Sequence, residues 1–119
     1  MYNQMVVEQD ISEDQVDRIF HALADATRRD IVRRTLTQEA SISELAAAYL
    51  MSFAAVQKHV AVLEGAGLVT KDKRGRERIV RGNPQQIERA RALLDHYEQL
   101  WQSRIDRLDA LLAQDPKTT

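Results

Sequence analysis

The chain has 119 residues, 44% of them hydrophobic and 29% charged, which is enough for one domain with a modest core. It has no cysteine, which excludes disulfides, thiolate catalysis and thiolate metal sites, and no apolar run long enough to cross a bilayer. The net charge of −1 is unevenly distributed: residues 1–25 carry one basic and six acidic side chains, whereas residues 26–81 carry eleven basic and six acidic ones.

Residues 1–11 show no periodicity, so we expect a loose N-terminal arm. Because this arm lacks the basic and apolar segments of a secretory signal, we expect a cytoplasmic protein. Ser12 is predicted to cap a first helix and Asp25 a second one. The apolar side of the first helix contains Val16, Ile19, Phe20 and Leu23. In the second helix we expect the arginines outside and four residues inside: Ile31, Val32, Thr35 and Leu36.

Two further helices follow, separated by a short turn, which is the helix-turn-helix pattern. We expect Ser43 to cap the shorter helix and Ser52 to cap the longer one, which follows it. Gly65 and Gly67 come at the end of the longer helix and are typical of a left-handed helix end. The pattern therefore predicts two helices that meet at an angle, the second of which could enter a DNA groove.

The outward side of the longer helix carries candidate DNA-binding residues. On a helical wheel the core side is formed by Val56, Val60 and Leu63. The candidates lie on or beside the opposite side: Ser52, Ala54, Ala55, Gln57, Lys58 and, at its border, His59. The small alanines permit close approach, Gln57 can bond a base edge, and Lys58 or the helix N-terminus can bind phosphate. The alternative is an ordinary polar face exposed to solvent.

A basic hairpin is predicted directly after this helix. Residues 68–73 and 77–81 have moderate strand character, and Gly75 lies in the turn between them. Residues 71–81 contain six basic and two acidic side chains. A hairpin in this position is typical of a wing, which makes Arg74, Arg76 and Arg78 further DNA-binding candidates. The alternative is a charged edge hairpin that resists aggregation.

The last predicted element is a helix from Pro84 to about Ala113. A helix of this length extends for about 45 Å, more than a domain of this size can cover with its own surface. From Leu94 onward its apolar residues recur every three or four positions, as in paired helices. We therefore expect a second copy of the chain to cover five residues: Leu94, Tyr97, Trp101, Ile105 and Leu108.

Several segments, taken in order, resemble the ArsR/SmtB family of repressors. Residues 20–31, FHALADATRRDI, resemble the family's opening ALADPTRR-x-I, and residues 51–60, MSFAAVQKHV, resemble its recognition helix. Residues 62–69, VLEGAGLV, and the Arg74-Gly75-Arg76 turn are similar as well. The resemblance implies a mainly α fold with a small β-hairpin, a winged helix-turn-helix. It also implies a homodimer through the first and last helices, which adds Val16 and Phe20 to the predicted interface.

The chain departs from the family pattern in three places: the start of the second helix, the recognition helix and the metal-sensing residues. Ala26 replaces the usual proline, and Phe53 and Gln57 replace more typical recognition-helix residues, so the family's operator preference does not carry over. The cysteine pair with which some members sense soft metals is missing from residues 43–47. Another family site lies across the two last helices and uses Asp, His and Glu, and the candidates here are Asp95, His96, Asp106 and Asp109. Neighbouring residues on a helix point about 100° apart, which disfavours a shared ion at 95 and 96.

We therefore expect a single domain over residues 1–119, with a DNA-binding core at 12–83, a dimerisation helix at 84–113 and a tail at 114–119. The predicted function is a homodimeric repressor on a pseudo-palindromic operator in double-stranded DNA, with no cofactor, bound metal or membrane. The alternatives are a metal-responsive repressor that uses the last helix, and a protein-interaction module. An enzyme is not expected, because no nucleophile or phosphate-loop motif is present. The residues identify no effector.

Overall fold

The computed structural model describes residues 11–114, which form five helices and three strands. In chain order these are α1 (Glu13–Leu23), α2 (Ala26–Thr37), β1 (Ala40–Ser41), α3 (Ile42–Tyr49), α4 (Phe53–Gly65), β2 (Val69–Arg74), β3 (Glu77–Gly82) and α5 (Pro84–Ala113). The chain divides after Arg89 into two compact units, so that α5 begins in the first and ends in the second. The predicted arm at 1–11 and tail at 114–119 lie outside the described residues, except for Ile11 and Gln114.

The predicted winged helix-turn-helix is confirmed, with one strand more than expected. β2 and β3 form the predicted antiparallel hairpin, in which Val69 lies opposite Gly82. The additional strand β1 pairs with the other edge of β3 and places Ala40 opposite Val80, which gives the order β1-β3-β2. A strand of two residues is too short to show alternation, so the local sequence does not reveal it.

Two arginines join the end of α1 to the start of α2. Asp25 caps α2 as predicted, and its carboxylate accepts a hydrogen bond of 3.0 Å from the backbone N–H of Arg28. The Arg28 side chain turns back and donates to the carbonyl of Ala22 at 2.8 Å, while Arg29 donates to that of Leu23 at 2.7 Å. These bonds satisfy carbonyls that the end of a helix leaves without intrahelical partners. Arg29 is exposed, as predicted for the arginines of this helix, whereas Arg28 is only partly exposed.

The helix α3 begins earlier than its sequence pattern indicates. Ser41 is the cap, and its hydroxyl accepts a hydrogen bond of 3.0 Å from the N–H of Glu44. The Glu44 carboxylate in turn accepts 2.8 Å from the N–H of Ser41, which completes a capping box. The expected cap, Ser43, lies inside the helix and is exposed. The capping box therefore starts the helix at Ile42, whose side chain is fully buried in the core.

The core side of α4 agrees with the prediction, but its end does not agree fully. Val56, Val60 and Leu63 have no exposed surface. Gly65 is the last helical residue, whereas Gly67, with φ of +77°, adopts the left-handed conformation. Only the second of the two glycines therefore performs the role that the sequence indicates for both.

α2 and β3 approach each other closely at Gly82. A Cβ atom at this position would lie 2.8 Å from the side chain and the backbone nitrogen of Leu36. Leu36, which the helical pattern places inside, is 40% exposed and lies against this glycine. The close contact requires glycine here, because any side chain would force the strand and the helix apart.

Polar side chains attach the first turn of α5 to the end of α4. Asn83 precedes α5, and its Oδ1 accepts a hydrogen bond of 3.2 Å from the N–H of Gln85. Its Nδ2 group donates to the carbonyl of Gly67 at 2.9 Å. The buried Gln86 donates to the carbonyl of Ala66, also at 2.9 Å. These bonds fix the start of α5 on the segment that follows α4.

Candidate nucleic-acid interface

The first turns of α4 present small and polar side chains to solvent. Ser52 caps the helix, and its hydroxyl accepts a hydrogen bond of 3.1 Å from the N–H of Ala55. Ser52, Ala54 and Lys58 are exposed, and Ala55 and Gln57 are partly exposed, as the sequence predicts. Within residues 11–114 neither Gln57 nor Lys58 has a hydrogen-bond or ion-pair partner. The amide and the ammonium group are therefore available to a partner outside the chain.

His59 lies away from this exposed face. Its Nδ1 atom is 3.3 Å from Nη1 of Arg28 and 4.0 Å from a carboxylate oxygen of Asp25. Its side chain keeps only a fifth of its surface exposed. His59 therefore holds α4 at the junction of α1 and α2, and we remove it from the predicted DNA contacts. Its position at the border of the helical wheel left both roles open.

The hairpin of β2 and β3, called the wing below, has several basic residues that are neutralised by acidic neighbours. Arg74 forms a bidentate ion pair with Glu39, with N–O distances of 2.7 and 3.1 Å. Arg81 contacts the same carboxylate at 3.3 Å and that of Asp72 at 3.1 Å. The hydrogen bond from Arg74 is the main cause that lowers the pKa of Glu39. Arg74, predicted as a DNA contact, is thus engaged with the loop between α2 and β1.

Three basic side chains of the wing have no carboxylate partner in the part of the chain that is described: Lys73, Arg76 and Arg78. Lys73 lies opposite Arg78, so the two side chains point to the same face of the sheet. Lys71 shares that face and lies 3.7 Å from the carboxylate of Glu64 on α4. Lys73 and Arg78 therefore lie on the α4 side of the wing. Lys73 was missing from the sequence prediction, although strand alternation places it beside Arg78.

Two exposed apolar residues lie at the entrance to α4. Phe53 is its first residue and is 46% exposed, and Leu50 in the preceding turn is 93% exposed. Leu50 has a left-handed backbone, with φ of 56°, which leucine rarely adopts. Phe53 precedes Gln57 by four residues, so both occupy one side of the helix. Phe53 was not among the predicted DNA contacts, although its spacing from Gln57 could have indicated it.

A cluster of side chains holds α3 against α2. The Tyr49 hydroxyl donates to the carboxylate of Asp30, which also pairs with Arg33 and, at 3.1 Å, with Arg34. The hydrogen bond from Tyr49, followed by that from Arg33, lowers the pKa of Asp30 to about 2. Burial, followed by the bond to Asp30, raises the pKa of Tyr49 to about 12. Because Tyr49 ends α3, this cluster fixes the turn that leads into α4.

Most apolar side chains of α5 beyond Arg89 are exposed. Four predicted interface residues are between 52 and 57% exposed: Leu94, Tyr97, Trp101 and Leu108. Ile105 is partly exposed, and Phe20 on α1 is exposed. Val16, by contrast, is buried in the core of its own chain, where a partner could reach little of it, and we remove it from the interface.

Among residues 11–114 no single helix is long and apolar enough to cross a membrane. α3 and α4 meet this criterion of length and composition only when they are taken together, and a bend of 113° separates them.

The candidate metal ligands of α5 have protein partners. A carboxylate oxygen of Asp95 lies 2.8 Å from Nη1 of Arg91, and Asp106 accepts a hydrogen bond of 3.2 Å from Gln102. Over residues 11–114 no three histidine, aspartate or glutamate side chains come together as a metal site requires.

Known proteins share the segment that carries this geometry. Residues 25–71 match the bacterial regulatory protein family arsR. The chain is 37% identical over 81 residues to the HTH-type transcriptional regulator Rv2034 of Mycobacterium tuberculosis, which covers 68% of this chain and 76% of that protein. The chain belongs to the ArsR family. As an ArsR-family protein it is a transcriptional regulator and not an enzyme.

Solved structures of ArsR-family regulators have the same fold. The crystal structure of the ArsR-family transcriptional regulator RHA00566 has a TM-score of 0.73 at 33% identity, covering 79% of this chain and 97% of that one. The homodimeric winged helix-turn-helix DNA-binding domain Mb0332 of Mycobacterium bovis, a possible ArsR-family regulator, has a TM-score of 0.60 at 26% identity, covering 72% and 80%. The family segment of this ArsR-family protein extends from the cap of α2, through α4, into β2.

Proposed function

We propose that this ArsR-family protein is a homodimeric repressor that binds a pseudo-palindromic operator in double-stranded DNA. One observation carries the proposal: four cations around α4 and the wing have no carboxylate partner among the described residues, namely Lys58, Lys73, Arg76 and Arg78. Phosphate binding depends on such local positive charge and not on the total, which is −1 here. Arg74 and Arg81 of the wing are already neutralised by Glu39 and Asp72. The surface that carries the four unpaired cations is therefore the one that faces DNA in this proposal.

In this proposal α4 enters the major groove. Ala54 and Ala55 let the helix backbone approach the bases, and the amide of Gln57 bonds a base edge. Lys58 binds a phosphate group, and the N-terminus of α4 with Ser52 binds a second one. Gln57 therefore contributes sequence preference, whereas Lys58 and Ser52 contribute affinity and orientation.

The wing contacts the DNA backbone beside α4. Lys73 and Arg78 lie on its α4 side, and Arg76 lies exposed at the turn. These three side chains bind phosphates or enter the minor groove next to the site of α4. Arg74 has no DNA role in this proposal, because its ion pair with Glu39 anchors the wing to the loop between α2 and β1.

Two copies of the chain associate through α5, and Phe20 of α1 is a further residue assigned to the contact between copies. The apolar residues from Leu94 to Leu108 recur every three or four positions and are at least partly exposed in a single chain. The α5 helix of a second copy would cover these side chains and remove them from water. The homodimeric neighbour from Mycobacterium bovis supports this assembly. A twofold dimer requires two half-sites about 10 base pairs apart, or a multiple of that spacing.

Repression follows from occupancy of the operator, with residues 12–83 as the DNA-binding core and residues 84–113 as the dimerisation helix. Because the sequence has no cysteine, release of the operator does not depend on thiol oxidation or on a thiolate-bound metal. The DNA partner implies a cytoplasmic location.

The proposal is tested by selecting genomic DNA fragments with the purified protein at two salt concentrations, with and without EDTA. We expect enrichment of a pseudo-palindrome, binding that falls steeply with salt, and no effect of EDTA. Gln57→Ala should relax the preference at one position of each half-site, whereas Lys58→Ala should weaken binding to all sequences. Absence of any enriched sequence would contradict operator binding, and a requirement for metal would replace the proposal with a metal-responsive repressor.

A further inference from the structure

We infer that Phe53 is a specificity-determining residue that recognises the methyl group of a thymine in each operator half-site. This inference rests on the proposed operator binding, because it assigns a role within the same interface. It adds to the candidates of α4 a residue that can form no hydrogen bond to a base. The recognition it describes therefore depends on shape and apolar contact alone.

The position of Phe53 supports this role. It is the first residue of α4, and the N-terminal residues of a recognition helix are those that reach base edges. Nearly half of the surface of Phe53 is exposed to water, although burial of a phenyl ring in an apolar environment is energetically favourable. The core side of α4 is filled by Val56, Val60 and Leu63, which are completely buried, so Phe53 is not required there.

The spacing between Phe53 and Gln57 locates the thymine within the half-site. The two residues are four positions apart in the sequence, so they share one side of α4. The same side carries Glu64, which contacts Lys71 of the wing. Four residues of helix extend for about 6 Å, and stacked base pairs are about 3.4 Å apart. The thymine is therefore expected no more than about two base pairs from the base that Gln57 bonds.

Thymine is the one base whose chemistry matches this side chain. In the major groove it alone presents a methyl group, beside its O4 acceptor, whereas the other bases present hydrogen-bond donors and acceptors without a methyl group. A phenyl ring placed on those polar edges would remove water from them without replacing the lost hydrogen bonds. Recognition by Phe53 thus favours thymine through the methyl group and disfavours the remaining bases through desolvation.

Replacement of thymine by deoxyuridine tests this inference, because it removes only the methyl group. Each thymine of the selected operator is replaced in turn, and affinity is measured for the wild-type protein, Phe53→Ala and Leu50→Ala. We expect one position per half-site at which the replacement weakens wild-type binding about fourfold, the ratio for burial of one methyl group. The effect should vanish in Phe53→Ala and persist in Leu50→Ala, since Leu50 is exposed and apolar but lies outside α4.

Two outcomes would overturn the inference: no thymine is sensitive in the wild-type protein, or the sensitive thymine remains equally sensitive in Phe53→Ala. The wild-type measurement needs no variant, so it decides the first outcome even if Phe53→Ala does not fold. If the wild-type protein selects no operator at all, the proposed function fails before the role of Phe53 is reached. The failure of the inference and that of the proposed function are therefore distinguishable.

Discussion

The pairing of charges in the wing predicts that two arginines of equal charge differ in their contribution to DNA binding. Arg78 has no carboxylate partner in the described chain, whereas Arg74 is held by Glu39 at 2.7 Å. Arg78→Ala should remove one phosphate contact from each protomer and two from a homodimer. Each contact contributes about 0.9 to the slope of log affinity against log salt, so the slope should flatten by about 1.8.

Arg74→Ala is the matched control, because it changes the formal charge of the protomer by the same amount. Its guanidinium is already neutralised, and after its removal Glu39 keeps the contact with Arg81 at 3.3 Å. We therefore expect the salt slope of Arg74→Ala to stay close to that of the wild-type protein. A general effect of net charge would instead change both slopes equally.

The assay is a fluorescence anisotropy titration of the selected operator at a series of salt concentrations. Circular dichroism of each variant confirms that the fold is kept. Equal flattening in both variants would show that the ion pair with Glu39 does not prevent Arg74 from binding DNA. No change in either variant would show that the wing does not contact phosphate.

Three further predictions concern the framework that positions the interface, and all are measured by urea denaturation. Gly82→Ala should lower the free energy of unfolding by about 1–3 kcal/mol, because its Cβ would lie 2.8 Å from atoms of α2. Gly65→Ala, whose Cβ meets nothing within 4 Å, is the control, and an equal loss there would contradict the steric argument. Leu50→Gly should raise the free energy of unfolding by about 0.5–1 kcal/mol, since glycine adopts a φ of 56° without strain. A lower value would show that Leu50 stabilises the turn. Asp30→Asn should destabilise the protein above about pH 4 but much less near pH 2, because Asp30 has a pKa of about 2 when folded against an ordinary value of 3.8. A difference from wild type that does not change with pH would refute the role of the Asp30 carboxylate.

The elements of the fold could be predicted where their signals are local. The caps at Ser12, Asp25 and Ser52 and the start of α5 at Pro84 depend on residues within one helical turn, and the structure has them all. β1 could not be predicted, because two residues form a strand only through pairing with β3. The cap of α3 is a different case: the capping box of Ser41 and Glu44 is a local signal, and the prediction places the cap at Ser43, two residues too late.

The candidate site shows the same division between local and distant causes. The exposed face of α4 follows from helical periodicity, so Ala54, Gln57 and Lys58 could be identified from the sequence. The ion pair that engages Arg74 could not be predicted from the sequence, because its partner Glu39 is 35 residues away. The sequence pattern of α2 places its arginines outside from their positions along the helix alone, whereas the long side chain of Arg28 bends back to α1.

The most direct test of the central claim compares an operator that has both half-sites with one in which a single half-site is replaced by unrelated sequence. If two copies of the chain place one α4 in each half-site, the intact operator should bind two chains. Replacement should then weaken binding at least about tenfold, since each mismatched base pair costs about 1–3 kcal/mol. Equal affinity for the two DNAs, or one chain bound per intact operator, would contradict the proposal of a homodimeric repressor.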